Sequence, residues 1–195
     1  MTMQRIYFVT HPDVIVDPDA NVTDWSLSPR GLSRMQSMLE QPWIGDIASV
    51  YCSTEKKAED GARVVATALN LPVYQVKELG ENDRSATGYL PPAEFEQLAD
   101  QFFAEAEVSI RGWETAIAAQ GRIVGALNQI VDADKSAESI LIVSHGAVGA
   151  LLYCYLASCA IDRKHDQPGS GGGNFFTFER LSGKLVHGWR PIDPV

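Results

Sequence analysis

Two short apolar runs, each followed by a polar residue and a histidine, constrain the fold of this chain most strongly. Residues 6–9 (Ile-Tyr-Phe-Val) lead through Thr10 to His11, and residues 140–143 (Ile-Leu-Ile-Val) lead through a serine to His145. Runs of this length and composition predict buried strands. Because ligands of open, mostly parallel sheets bind beyond the carboxyl ends of the strands, we expect both imidazoles to face one crevice.

Strand and helix patterns alternate along the rest of the chain. Ser28, followed by a proline, is a predicted N-cap, and Thr54 is predicted to cap the next helix. The alternation predicts an α/β fold, a single-domain three-layer sandwich with a mostly parallel central sheet and helices on both faces. The predicted strands are 4–9, 49–52, 73–76 and 139–144, with a terminal hairpin of strands 174–179 and 184–187; the predicted helices are 29–41, 54–69, 93–105 and 113–131, with an apolar helical stretch over 147–160.

The composition indicates one domain and limits the partners. With 195 residues, 45% of them hydrophobic, the chain can bury a single core over residues 1–195. A formal net charge of −9, without any run of lysine or arginine, argues against nucleic acid as a partner. The apolar stretch 147–160 falls short of the ~20 residues that a membrane span needs, and no signal-peptide pattern follows Met1. We therefore expect neither a nucleic acid nor a membrane partner.

Cysteine usage indicates the redox compartment. The three cysteines are too few for a disulfide framework. Cys52 is predicted to lie in a strand, and Cys154 and Cys159 are predicted to lie in the core pattern of a helix. A reducing cytoplasm fits this usage best.

Other patterns that resemble a metal or cofactor site lack essential residues. His11 and His145 could ligate zinc, but no third ligand at metal-like spacing is visible. The polar run around His165 and the terminal strand around His187 indicate a solvated and a packing role, respectively. The acidic run that starts at Asp17 lacks the glycine and glutamate of a calcium loop, and the glycines of 169–173 lack the Gly-Lys-Ser/Thr of a phosphate-binding loop. We predict no metal, no cofactor and a flexible loop at 169–173.

Five blocks, in order, resemble the histidine phosphatase (phosphoglycerate mutase-like) superfamily. Residues 9–12 (Val-Thr-His-Pro) resemble its Arg-His-Gly signature, and residues 143–147 (Val-Ser-His-Gly-Ala) resemble its second-histidine motif. Between them, 25–31 resemble the segment that opens the first helix, 52–58 the second phosphate-binding turn, and 78–81 the acid-bearing loop. The order and spacing of the blocks, which span most of the chain, carry the resemblance.

The resemblance implies a phosphohydrolase that acts on a small phosphate monoester through a phosphohistidine. His11 would be the nucleophile, His145 would stabilise the transferred group, and Glu81 would protonate the leaving oxygen, with Asp83 as the alternative acid. The acid loop and helical region of about 78–135 would cap the pocket and select the substrate. At the positions that match the family's two phosphate-binding arginines, the resemblance implies phosphate contacts from Thr10 and Lys57.

Four positions depart from the family pattern. Thr10 and Lys57 stand where the family has arginines, Pro12 replaces a glycine, and Asp17 lies nearest to the usual asparagine. Lysine and threonine lack the planar fork with which arginine grips a phosphate. We therefore predict a divergent member with a weakened phosphate grip, in which Arg84, beside the acid loop, is the first choice to replace the lost fork.

These departures leave the function open between three alternatives. The first is a phosphohydrolase of weak or narrow activity, and the second is a catalytically reduced member that binds a ligand or acts as a scaffold. The third, a phosphoglycerate mutase-type phosphotransferase, suits this compact chain less well because that branch carries additional segments. The expected partner is a small phosphorylated molecule, and the assembly is left open between a monomer and a homodimer.

Overall fold

Six strands form one sheet in the structure, a computed structural model that describes residues 4–136, 138–169 and 171–193. The sheet order is β3-β2-β4-β1-β5-β6, in which the first four strands are parallel and the last two are antiparallel additions at one edge. The prediction of a mostly parallel sheet that ends in a hairpin is confirmed. The strands are β1 Arg5–Thr10, β2 Ile47–Cys52, β3 Val73–Gln75, β4 Ser139–Ser144, β5 Asn174–Glu179 and β6 Leu185–Pro191.

The central pair of strands brings the two histidines to the same edge of the sheet. β1 and β4 are parallel neighbours, with Thr10 opposite Ser144. The backbone N–H of His11 extends this pairing, because it donates to the Ser144 carbonyl at 3.0 Å. Since both strands end at the same level, the residues that follow them, His11 and His145, lie side by side.

Five α-helices cover the two faces, which makes the predicted three layers. Alternate residues of β1 point to opposite faces, as the twofold repeat of a strand requires, with Phe8 in one core and Val9 in the other. The helices are α1 Pro29–Met38 and α2 Lys56–Leu69 on the face of Val9, and α3 Pro92–Ala104, α4 Ala116–Ala133 and α5 Gly146–Leu156 on the face of Phe8. In the part of the chain that the structure describes, no helix combines the length and apolar character needed to cross a membrane.

The two predicted helix starts have different outcomes. Ser28 caps α1 as expected, because its hydroxyl accepts the Gly31 N–H at 3.1 Å. The prediction for Thr54 is wrong, since the N-cap residue of α2 is Glu55 and its side chain makes no capping bond. The Glu55 side chain turns into the interior instead, where it meets the histidines.

Two predicted helix ends are also wrong. α4 starts after Thr115, whose side chain caps it, and not at Trp113, because the backbone of both residues is extended (ψ 152° at Trp113 and 149° at Thr115). α5 ends at Leu156, and Ser158 is left-handed (φ 53°), so Cys159 lies outside the helix in which it was predicted.

Candidate active site

His11 and His145 form the centre of the candidate site at the carboxyl ends of β1 and β4. Their ring centroids are 5.1 Å apart, and the rings meet edge to face at 70°. The two imidazoles predicted from the strand ends are therefore in direct edge-to-face contact.

His11 is held as a neutral imidazole with one free nitrogen. Its Nδ1 lies 3.0 Å from the Pro12 carbonyl, which can only accept, so Nδ1 carries the proton and Nε2 keeps its lone pair. Burial, together with the positive charge of Lys57, lowers the pKa of His11 to about 4. At neutral pH the Nε2 lone pair is therefore available for bond formation.

His145 is fully buried. Its Nε2 is hydrogen-bonded to Ser53 Oγ at 2.7 Å and lies 3.3 Å from Glu55 Oε1. The Ser53 hydroxyl can donate to a ring nitrogen or accept from it, so this hydrogen bond holds the ring in place for either tautomer. Burial holds the pKa of His145 well below its ordinary value, and among the described residues its Nδ1 has no hydrogen-bond partner.

Glu55 is the residue that sequence reasoning missed. Its Oε2 accepts from Lys57 Nζ at 2.5 Å, and its Oε1 accepts from the Glu81 backbone N–H at 2.8 Å. Burial raises the pKa of Glu55, but His145 and Lys57 outweigh it and hold that pKa at about 2. Glu55 is thus an ionised, buried carboxylate beside both histidines. In the sequence, the run Thr-Glu-Lys-Lys resembles the solvated start of a helix. Only the structure shows that the Glu55 side chain does not cap that helix.

Lys57 lies at the site, as the prediction of a phosphate contact requires, but its ammonium is already engaged. The residue is 3% exposed, and Nζ donates to the Val22 carbonyl at 2.7 Å in addition to Glu55. Two of its three N–H bonds therefore have partners within the chain.

Glu81 binds the start of α5 with its carboxylate. Its Oε2 and Oε1 accept from the backbone N–H groups of Ala147 and Val148 at 3.2 and 3.1 Å. Burial raises the pKa of Glu81. Asp83 is exposed, and hydrogen bonds from Ser85 lower its pKa. A group that gives up a proton near neutral pH needs a raised pKa, and of the two carboxyls only Glu81 has one.

Thr10 and Arg84, the other predicted phosphate contacts, differ in availability. The Thr10 side chain is fully buried, and its hydroxyl lies 2.6 Å from Gln167 Oε1 and accepts the Asn174 N–H at 3.0 Å. Its proton is thus committed to β5 and the loop before it, and this geometry gives a phosphate no donor from Thr10. Arg84 stacks over the Phe95 ring, 4.8 Å from its centroid, and its charge reaches His11, Glu81 and His145. Among the described residues no carboxylate forms an ion pair with Arg84.

Gly172 and Gly173 of the glycine-rich segment 169–173 form part of the site wall; the predicted flexibility of this loop stays a prediction, and Ser170 lies outside the described residues. Gly173 N–H donates to the His11 carbonyl at 3.2 Å. Gly172 has φ +67°, and a Cβ there would lie 2.1 Å from the same carbonyl oxygen. Glycine is therefore required at 172, because this backbone packs directly on the backbone of His11.

The fold and the paired histidines define a phosphoglycerate mutase-like α/β protein. The model of the histidine phosphatase superfamily (branch 1) matches residues 17–170, most of the chain, and the chain belongs to that superfamily. The matched segment contains Glu55, Lys57, Glu81 and His145, whereas His11 precedes it. Comparison with curated protein sequences gives no significant match.

Solved structures share the fold over almost the whole chain. YhfR from Bacillus stearothermophilus has a TM-score of 0.75 at 22% identity, with 95% of each chain covered. A mycobacterial glucosyl-3-phosphoglycerate phosphatase in complex with inorganic phosphate has a TM-score of 0.76 at 17% identity, covering 98% of this chain and 100% of that one. The alpha-ribazole phosphatase from Shigella flexneri has a TM-score of 0.73 at 19% identity, covering 98% and 96%.

Proposed function

We propose that this chain is a phosphohydrolase that releases phosphate from a small phosphate monoester through a phosphohistidine at His11. The observation that carries this proposal is the state of His11. Its Nδ1–H is held by the Pro12 carbonyl, its Nε2 is free, and its depressed pKa keeps the ring neutral. A neutral imidazole fixed in this tautomer is a competent nucleophile beside a second imidazole that can support the transferred group.

The proposed reaction has two balanced steps. In the first, Nε2 of His11 bonds to phosphorus while the ester P–O bond breaks, and Glu81 gives its proton to the departing alcohol oxygen. In the second, Glu81 takes a proton from water, whose oxygen bonds to phosphorus as the N–P bond breaks. The raised pKa of Glu81 suits both steps, because it keeps the acid protonated over a wider pH range for the first step and makes the carboxylate left by that step a stronger base for the second.

Glu55 sets the strength of phosphate binding in this proposal. A phosphoryl group bound beside the histidines would be repelled by the Glu55 carboxylate near His145 and would compete with it for Lys57. Arg84 is the remaining nearby cation without a carboxylate partner among the described residues. We therefore infer weak binding of free phosphate and a turnover that depends on Arg84.

The substrate class is proposed from the neighbours and the site. Two structures with the same fold are named as a glucosyl-3-phosphoglycerate phosphatase and an alpha-ribazole phosphatase. With the two histidine rings in contact, one phosphoryl group would bind beside the pair. The acid loop and the α3–α4 region, which flank Glu81, would contact the remainder of the ester.

Rapid-quench trapping with labelled phosphate monoesters tests the proposal. We expect an acid-labile, base-stable adduct on His11 and release of inorganic phosphate. His11→Asn should form no adduct, and His145→Asn should form it slowly. His187→Asn, in a histidine of β6 that packs on Phe175, is the matched control and should behave like the unmodified protein.

A second candidate function is supported by the buried Glu55–Lys57 pair. A member of the fold that binds a ligand without turnover would retain the histidines and tolerate an internal carboxylate at the phosphate-facing side of His145. The absence of both adduct and released phosphate, over a broad panel of esters from mildly acid to neutral pH, would favour this candidate. Transfer of the label to a second substrate hydroxyl, instead of to water, would favour a mutase-type reaction.

A further inference from the structure

A cluster of two thiols and an imidazole lies at the C-terminal end of α5, apart from the candidate active site. Cys154 is in the last turns of α5, Cys159 follows the end of the helix, and His165 closes the 3-10 turn Arg163–His165. The two sulfur atoms and one imidazole nitrogen all lie within 4.8 Å of one another. The spacing of these residues along the sequence does not reveal the cluster. Cys159 lies near Cys154 because α5 ends between them and the chain turns back.

The distance between Cys159 and His165 matches that of two ligands in a tetrahedral metal centre. Zn²⁺ binds sulfur at about 2.3 Å and imidazole nitrogen at about 2.0–2.1 Å, which places a sulfur and a nitrogen ligand about 3.5 Å apart. Cys159 Sγ lies 3.4 Å from His165 Nε2. A mixed thiolate and imidazole set suits zinc, because purely oxygen sites favour magnesium or calcium.

Contacts within and around the cluster position Cys159 and His165. The His165 carbonyl accepts from the Trp189 indole N–H at 2.9 Å, and the His165 ring packs on Tyr153 with centroids 5.9 Å apart. The Cys159 N–H donates to the Cys154 carbonyl at 3.0 Å. Ligands that are oriented in advance by such outer contacts cost less entropy to bring together on binding.

The charges around the cluster do not oppose a cation. Arg163 is paired with Glu96 and Asp100, and Lys164 is paired with Asp162. Cys154 is buried, whereas Cys159 and His165 are each partly exposed, so an ion can enter from the solvent side.

We propose that Cys154, Cys159 and His165 bind one Zn²⁺ ion, with solvent as the fourth ligand. The ion would join the end of α5 to the connection that carries Gln167. Because Gln167 Oε1 contacts Thr10 and Asn174, this clip would stabilise the wall of the candidate active site without touching the reacting atoms.

Titration of the reduced, chelator-treated chain with Co²⁺ tests the site, since Co²⁺ reports thiolate ligation by charge-transfer absorption. We expect one Co²⁺ per chain with thiolate charge-transfer bands, displacement by Zn²⁺, and a higher Tm with Zn²⁺ than without it. Cys159→Ser and His165→Gln should each lower affinity by at least about 100-fold, more than the loss of an outer-shell partner typically causes. Cys52→Ala, which removes the remaining cysteine from the opposite core, is the control and should bind as before.

Two results would overturn the proposal. One is the absence of thiolate charge-transfer bands in the folded, reduced chain. The other is binding that His165→Gln and Cys159→Ser leave unchanged while circular dichroism shows both variants folded. Neither readout depends on phosphatase activity, so failure of the proposed hydrolysis would leave this test intact.

Discussion

Glu55 Oε1 lies 3.3 Å from Nε2 of His145, so a carboxylate of the chain stands beside the buried imidazole of the candidate site. The same side chain forms an ion pair with Lys57, the lysine that the resemblance matches to the family's second arginine. We therefore expect this internal acid to weaken phosphate binding, in addition to the substituted arginines.

Replacing Glu55 by glutamine should strengthen phosphate binding tenfold or more. Unit charges 4 Å apart interact by about 4 kcal/mol at an effective dielectric of about 20, and about 1.4 kcal/mol of that suffices for a tenfold change. Glutamine keeps the oxygen that accepts from Glu81. Calorimetric titration with inorganic phosphate measures the effect, and Glu59→Gln, whose carboxylate pairs with exposed Arg63, is the control. Unchanged phosphate affinity in a folded Glu55→Gln protein would refute the role of this charge.

The rate of phosphohistidine formation should depend on pH through His11 and Glu81. The nucleophile must be neutral, so the rate should rise as pH increases through about 4, the pKa of His11. The acid must be protonated, so the rate should fall once pH exceeds the raised pKa of Glu81. Single-turnover kinetics should show that Glu81→Gln removes this alkaline limb. The second ionisation of the substrate phosphate, near pH 6, also affects the rate, but it is the same in both proteins. Comparing the two pH profiles therefore separates it from the titration of Glu81. An identical alkaline limb in both proteins would exclude Glu81 as the acid.

Glu81 should also stabilise α5, separately from any proton transfer. Its carboxylate accepts from two N–H groups in the first turn of the helix, where negative charge is favourable. We expect Glu81→Ala to lower the free energy of unfolding by about 1–2 kcal/mol and Glu81→Gln to lower it less, because the amide oxygen still accepts. Denaturant unfolding measures both, with Asp83→Ala as the exposed control. Equal loss in the alanine and glutamine variants would show that charge alone matters.

Gly172→Ala should disturb His11 through its backbone. The added Cβ would meet the His11 carbonyl oxygen, and the left-handed conformation adds a cost of about 1–3 kcal/mol for a residue other than glycine. We expect lower stability and slower phosphohistidine formation. Gly121→Ala, in α4 with open space around it, should instead stabilise by about 0.5–1 kcal/mol. A neutral effect of Gly172→Ala on both measurements would mean that the loop moves away without cost.

The sequence by itself determined the fold and the position of the two histidines. The apolar runs of β1 and β4 are local patterns, and parallel strands that end together bring His11 beside His145. Ser28 was likewise predictable as a cap, because its partner Gly31 is three residues away.

Only the tertiary structure decided what each side chain at the site does. Thr10 is committed to Gln167, 157 residues away, and Glu55 meets His145, whose position along the chain no periodicity links to it. The cluster of Cys154, Cys159 and His165 depends on where α5 ends, which Ser158 sets by a left-handed turn. Periodicity predicts which residues are buried, because burial repeats with the geometry of an element. The partners of a side chain in hydrogen bonds and ion pairs depend on which distant segments lie next to each other. The packing of the whole chain determines which segments those are.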